Sequence, residues 1–260
     1  MKQLRLTGLQ LKIIALVGMI IDHINTYFGY QLGFPDWIGW VGRFVAPVFL
    51  YLLMEGFIYT SNRSKYFRRL YTGAFVMFLI NFAKNIVTKH YYHPVTKEFD
   101  GFMLIEGNNI FLTLMCFFII FCLVERFQKN ERNKWKYLVL LFPMVMVTCF
   151  TEGGLYLLPL GLVLAYFGSS KNATIWTLAT TSLLLAIKAV INYYSFGVTY
   201  SNLYHYLAFD NQFMQWLAVP LILAYNGERG GKGKRWEKDL FYVMYPMHLI
   251  VIYVIKIIIQ

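Results

Sequence analysis

The sequence predicts an all-α fold, a polytopic bundle of about nine transmembrane helices, and three observations predict it. Of the 260 residues, 58% are hydrophobic and 14% charged, whereas soluble domains run at about 25% charged and 45–50% apolar. Apolar runs recur along the whole chain at lengths that approach the roughly 20 residues a bilayer crossing needs. Lys and Arg alternate between successive connecting segments. Sixteen fall in the N-terminal segment and in the loops at 61–69, 128–136, 169–171 and 226–238, and only Lys89 and Lys97 fall in the intervening segments. By the positive-inside rule the N-terminus is cytoplasmic and, after nine crossings, the C-terminus is outside. The net charge of +11 is therefore a topology signal rather than a nucleic-acid footprint. No stretch is long and polar enough for a soluble domain, so residues 1–260 read as one integral-membrane domain.

The elements follow in order. Span one, 9–30, carries LQLKIIALVGMIIDHINTY from Leu9 to Tyr27. Lys2 and Arg5 precede it as in a signal peptide, but no small-residue cleavage site follows, so it reads as a retained first helix. Span two, 37–60, contains Gly42-Arg43, Pro47 and Glu55-Gly56, and span three covers 70–88. Span four, 108–127, opens on Asn108-Asn109 and includes Thr113. Spans five (137–150) and six (154–168) are short and flank Glu152-Gly153-Gly154; they read as tilted helices or as half-helices breaking at that turn. Span seven is 172–192 and span eight a short 212–225. Span nine, 239–258, contains Tyr245-Pro246-Met247-His248. Cys116, Cys122 and Cys149 lie in apolar runs without metal-ligand or disulfide spacing, and read as packing residues.

The polar groups inside these spans are the functional candidates, because ionisable side chains cost about 2.5–3.5 kcal/mol each at the level of the lipid tails. At 1.5 Å per residue, His23 lies about 21 Å along span one and Arg43 about 9 Å below the outer face, so the two share the outer half. Successive helical residues differ by about 100°, so Asp22 and His23 form no dyad with each other. His23 reads as a base or nucleophile, with a structural contact as the alternative. Asp22 is placed to hold Arg43, whose charge cannot be shed and needs a partner or an anionic ligand. Lys12, Met19 and His23 share one stripe that could line a path from the cytoplasmic face. Asn109 could hydrogen-bond a substrate or simply cap its helix. Glu55, near the inner face, is either a snorkelling carboxylate or part of a cytoplasmic mouth. The loop from Asn226 through Arg229 and its Gly/Lys run lacks P-loop spacing; it could grip phosphate through backbone N–H groups, or serve only as a flexible basic loop. Tyr245 and His248, flanking Pro246 near the midplane, suggest a cavity. The scattered histidines and carboxylates give no metal-ligand spacing, so no metal is expected. A secondary transporter would also carry midplane charges and broken helices.

In order along the chain, Gln10-Leu11-Lys12, Asp22-His23-Ile24, Gly42-Arg43 with Pro47, Glu55-Gly56-Phe57, Asn109 to Thr113, Tyr225-Asn226-Gly227 with Arg229-Gly230, and Tyr245-Pro246 with His248-Leu249 resemble the TraX family of polytopic bacterial membrane proteins. The resemblance covers essentially the whole chain. It implies a multi-pass protein of the bacterial cytoplasmic membrane that acetylates the N-terminus of a pilin, and a relation to membrane acyltransferases that use cytoplasmic acetyl-CoA. It implies catalytic roles for His23 and Asn109; the reading of the residues themselves sets Asp22 and Arg43 beside them and makes Lys12, Glu55, Asn226, Arg229, Tyr245 and His248 the substrate-binding candidates. Acetyl-CoA would be the acyl donor, its phosphates on the basic inner loops and its pantetheine arm along the Lys12–Met19–His23 stripe. The acceptor would be a peptide, pilin or cell-surface glycan amine or hydroxyl. The chain departs from the family pattern at Glu152-Gly153-Gly154, where an Asp-aromatic-Gly turn is expected.

Overall fold

The computed structural model describes residues 5–93, 95–129, 132, 134–199 and 201–259; Lys2, one of the N-terminal cations, lies outside them. Every predicted span is helical. α1 (Gly8–Phe28) starts in a capping box: the Thr7 hydroxyl accepts from the Gln10 N–H at 3.4 Å while the Gln10 amide oxygen accepts from the Thr7 N–H at 2.9 Å. Span two is two pieces, α2 (Ile38–Val41) and α3 (Val45–Tyr59), joined by a 3-10 turn at Gly42–Phe44. Pro47 sits in the first turn of α3, where a missing N–H is tolerated, and it leaves the Arg43 carbonyl without its usual helical partner. The kink expected from Pro47 is thus a change of helix type one turn upstream.

α4 (Arg63–Val87) is capped by Asn62, whose side chain accepts from the Lys65 N–H at 2.8 Å. The short α5 (Gly101–Ile105) is pinned to α4 by buried Asn85, whose amide donates to the Met103, Leu104 and Glu106 carbonyls. α6 (Ile110–Lys129), α7 (Lys134–Cys149) and α8 (Gly154–Phe167) follow. α9 (Lys171–Asn192) runs on through a π-helical turn at Tyr193–Gly197. α10 (Leu203–Phe209) and a 3-10 segment, Gln212–Leu217, lead into α11 (Ala218–Ala224), and α12 (Arg235–Ile259) is the last helix.

Among the described residues, six helical stretches are long and apolar enough to cross a membrane: Gly8–Phe28, Ile38–Tyr59, Arg63–Val87, Ile110–Lys129, Lys171–Gly197 and Arg235–Ile259. The other three of the nine expected spans are shorter helices. α7 has 16 residues and α8 has 14, so they measure about 24 and 21 Å, short of a hydrocarbon core about 30 Å thick. Gln212–Ala224 is shorter again.

α6 sits at the centre, against α3, α4, α7 and α8, while α1 packs on α3 and α12, and α12 also packs on α4. Phe111, Phe117 and Phe121 of α6 and Leu50 and Tyr51 of α3 are buried. Lipid tails are as apolar as these side chains, so shape-matched contact rather than water exclusion holds helix to helix. Gly161 illustrates this: a Cβ there would overlap the Phe117 ring. The outward faces of α9 and α12 remain apolar and exposed, for example at Leu183, Leu184, Val251 and Val254.

Candidate active site

The packing of α12 on α1 brings two histidines together from opposite ends of the chain. Nδ1 of His23 lies 2.7 Å from Nε2 of His248, and both side chains are buried. Their rings stack at a centroid distance of 5.0 Å and an interplanar angle of 18°. Nδ1 of His248 lies 2.8 Å from the Met244 carbonyl oxygen, one turn back on α12. A carbonyl can only accept, so His248 Nδ1 carries the proton and its Nε2 the lone pair. That Nε2 therefore accepts from the Nδ1–H of His23. In neutral His23 the lone pair is then left on Nε2, which has no hydrogen-bond partner among the described residues. The tautomers follow from the network, and they give His23 the form of a general base or nucleophile.

One residue away and about 100° round α1, Asp22 accepts from Arg43 Nη2 at 2.5 Å. Asp22 and His23 thus act on different faces, and the Asp22–Arg43 contact read from depth alone is present. Gly42 makes it possible: a Cβ at that position would overlap the Asp22 carboxylate. Arg43 emerges from the 3-10 turn, and its buried Nε has no partner among the described residues.

Glu152 completes the cluster, and the sequence reading did not place it there. It lies in the turn between α7 and α8, yet its carboxylate accepts from the Tyr245 hydroxyl at 3.1 Å. That hydroxyl in turn accepts from the Ile110 N–H at 3.3 Å. The Glu152 backbone carbonyl accepts from Thr113 Oγ1 at 2.8 Å. Burial pushes the Glu152 carboxyl up to about 7, opposed by its bonds from Tyr245 and the Asn109 backbone N–H. The carboxylate thus sits where the first N–H groups of α6 favour an anion. The available signal was a lone carboxylate in an outer turn between two short spans.

The other predicted residues divide sharply. Tyr245 and His248 belong with His23, and Tyr245 is 1% exposed with its hydroxyl engaged, so it supports the site rather than offering a surface. Asn109 is a correction. Its side-chain oxygen accepts from the Leu112 N–H at 3.1 Å and its NH₂ donates to the Ala74 carbonyl at 3.0 Å. The amide is consumed in capping α6 and fastening it to α4. The Lys12–Met19–His23 stripe is a second correction. Met19 is buried in the core, and the cavity that Lys12 lines holds about 50 Å³, so the stripe is packed among the described residues.

Glu55 is buried and accepts from the Tyr225 hydroxyl at 2.9 Å, tying α3 to the segment after α11. Asn226 closes a local turn by accepting from the Glu228 N–H at 2.9 Å. The Arg229 carbonyl accepts from the Leu9 N–H at 2.9 Å, and the Glu228 carbonyl from the Gly8 N–H at 2.8 Å. The loop therefore clamps the start of α1 with its carbonyls. Its Lys232 N–H donates to Glu237 at 2.8 Å. The chain's own carboxylate occupies an N–H expected to hold phosphate, which corrects that reading. Lys12, Glu55, Asn226 and Arg229 thus lie in a structural cluster at the other end of α1 from His23.

A family model described as TraX protein matches residues 7–256. The "Probable fimbrial assembly protein FimC, serogroup H1" of Dichelobacter nodosus is 26% identical over 268 residues, covering 98% of this chain and 97% of that protein. No solved structure matches the chain.

Proposed function

The chain belongs to the TraX family, and from that premise we propose that it is a bacterial cytoplasmic-membrane acetyltransferase. It moves the acetyl group of acetyl-CoA to an amine of a pilin-like subunit. The observation that carries this reading is the directed chain from His23 through His248 to the Met244 carbonyl, which leaves His23 Nε2 as a lone pair. The printed name of the fimbrial relative supports a pilin-like acceptor.

His23 Nε2 removes the proton from the acceptor amine as its nitrogen attacks the thioester carbonyl. The C–N bond forms, the C–S bond breaks, and the departing thiolate takes the proton back from His23. Arg43, oriented by Asp22, faces the negative charge that develops on the carbonyl oxygen; a donor in that role is worth roughly 3–4 kcal/mol in the transition state. Glu152 and Tyr245 hold α12 and α6 in register so that His248 keeps its place. The test is transfer of labelled acetyl from acetyl-CoA to a pilin-like peptide by purified full-length protein. His23→Ala abolishes transfer while leaving the helical circular dichroism unchanged; turnover retained in that variant would remove His23 from the chemistry.

A further inference from the structure

A groove of about 530 Å³ runs between α4 and α12, away from the histidine pair. We infer that it binds an anionic phospholipid, with the headgroup phosphate on Lys65 and Arg68 and an acyl chain along the groove.

The charge at its mouth argues for a phosphate. Arg69 and Arg235 share the single carboxylate of Asp239, at 3.3 and 3.4 Å. Lys65 and Arg68 are exposed and make no ion pair among the described residues. Positive charge is therefore in surplus where α4 and α12 begin. Beyond the mouth the lining turns apolar at Val76, Val243 and Pro246. From Lys65 to Val76 the groove extends about 16 Å along α4, close to half of a 30 Å hydrocarbon core. That is the reach of a lipid chain within one leaflet.

The faces of α12 choose lipid over a soluble nucleotide thioester. Asp239, Val243 and Pro246, at i, i+4 and i+7, lie on the groove side. His248 is two residues past Pro246, about 200° further round the helix. A chain seated in the groove is therefore on the opposite side of α12 from the imidazoles. Basic clefts between membrane helices on the side of the basic loops bind anionic headgroups in this way, each cation near the surface contributing about 1 kcal/mol.

The experiment measures binding of tail-labelled phosphatidylglycerol to the full-length protein in non-ionic detergent. Lys65→Gln/Arg68→Gln weakens the apparent Kd about 30-fold, and Val243→Trp, which fills the groove, weakens it as well. Phosphatidylcholine binds more weakly than phosphatidylglycerol. Lys134→Gln/Lys136→Gln, in another basic loop, leaves binding unchanged. The inference is overturned if the first pair of substitutions has no effect, or if the second pair weakens binding equally. It is also overturned if free coenzyme A displaces the labelled lipid, since the groove would then be a nucleotide site. None of these outcomes depends on His23 or on acetyl transfer.

Discussion

His248 decides which nitrogen of His23 keeps its lone pair, and it does so without any need to touch a substrate. In the proposed reaction it is a positioning residue. His248→Ala removes the acceptor for His23 Nδ1–H, frees the ring to turn, and is expected to lower kcat by about 10²–10⁴-fold, the range of general-base contributions. His248→Gln restores an acceptor oxygen and recovers part of that loss, and the pH profile of kcat returns toward that of the unsubstituted protein. If His248→Ala left both kcat and the pH profile intact, the relay would have no part in the chemistry. The same residue shows how far a sequence can be read at this scale. Asp22 and Arg43 could be paired from depth alone, because their spans follow one another through a short loop. His248 could not be paired with His23, since nothing in a linear pattern says that the last helix lies on the first. Glu152 escaped for a related reason: a turn residue has no helical face from which to predict its direction.

At the scale of elements, the apolar spans were legible and their ends were less so. The 3-10 turn at Gly42–Phe44 and the structural use of Asn109 both depend on backbone groups of neighbouring helices, which leave no mark in side-chain patterns. The glycine-rich loop makes the same point. Its basic composition suggested a ligand grip, whereas its carbonyls fasten α1. Gly230 has φ of +69°, and a Cβ there would meet the Thr7 side chain. Gly230→Ala is therefore expected to cost about 1–3 kcal/mol and to lower the Tm of the detergent-solubilised protein. An unchanged Tm would mean that the loop does not hold the start of α1. Arg229→Ala, which keeps the carbonyl that accepts from Leu9, serves as the contrasting substitution with little change in Tm.

At the scale of the whole molecule, the parity of the crossings fixes where the termini lie. Nine crossings put the two termini on opposite sides of the membrane, and six put them on the same side. The alternation of cations favours nine, with α7, α8 and the Gln212–Ala224 segment crossing a locally thinned or protein-lined region. A green fluorescent protein fused after residue 260 is then expected to stay dark, and alkaline phosphatase fused there to be active. An N-terminal fluorescent fusion is expected to be bright. A fluorescent C-terminal fusion would reverse the assignment and leave the six longer helices as the crossings. The contact between His23 and His248 spans 225 positions in the chain, and the loop that grips the start of α1 comes only after α11. A nascent chain therefore leaves its first helix waiting in the bilayer, with its leading N–H groups unclaimed, until the loop after α11 has been made. A chain cut short before α12 lacks the His248 partner of His23 however well its earlier helices have inserted.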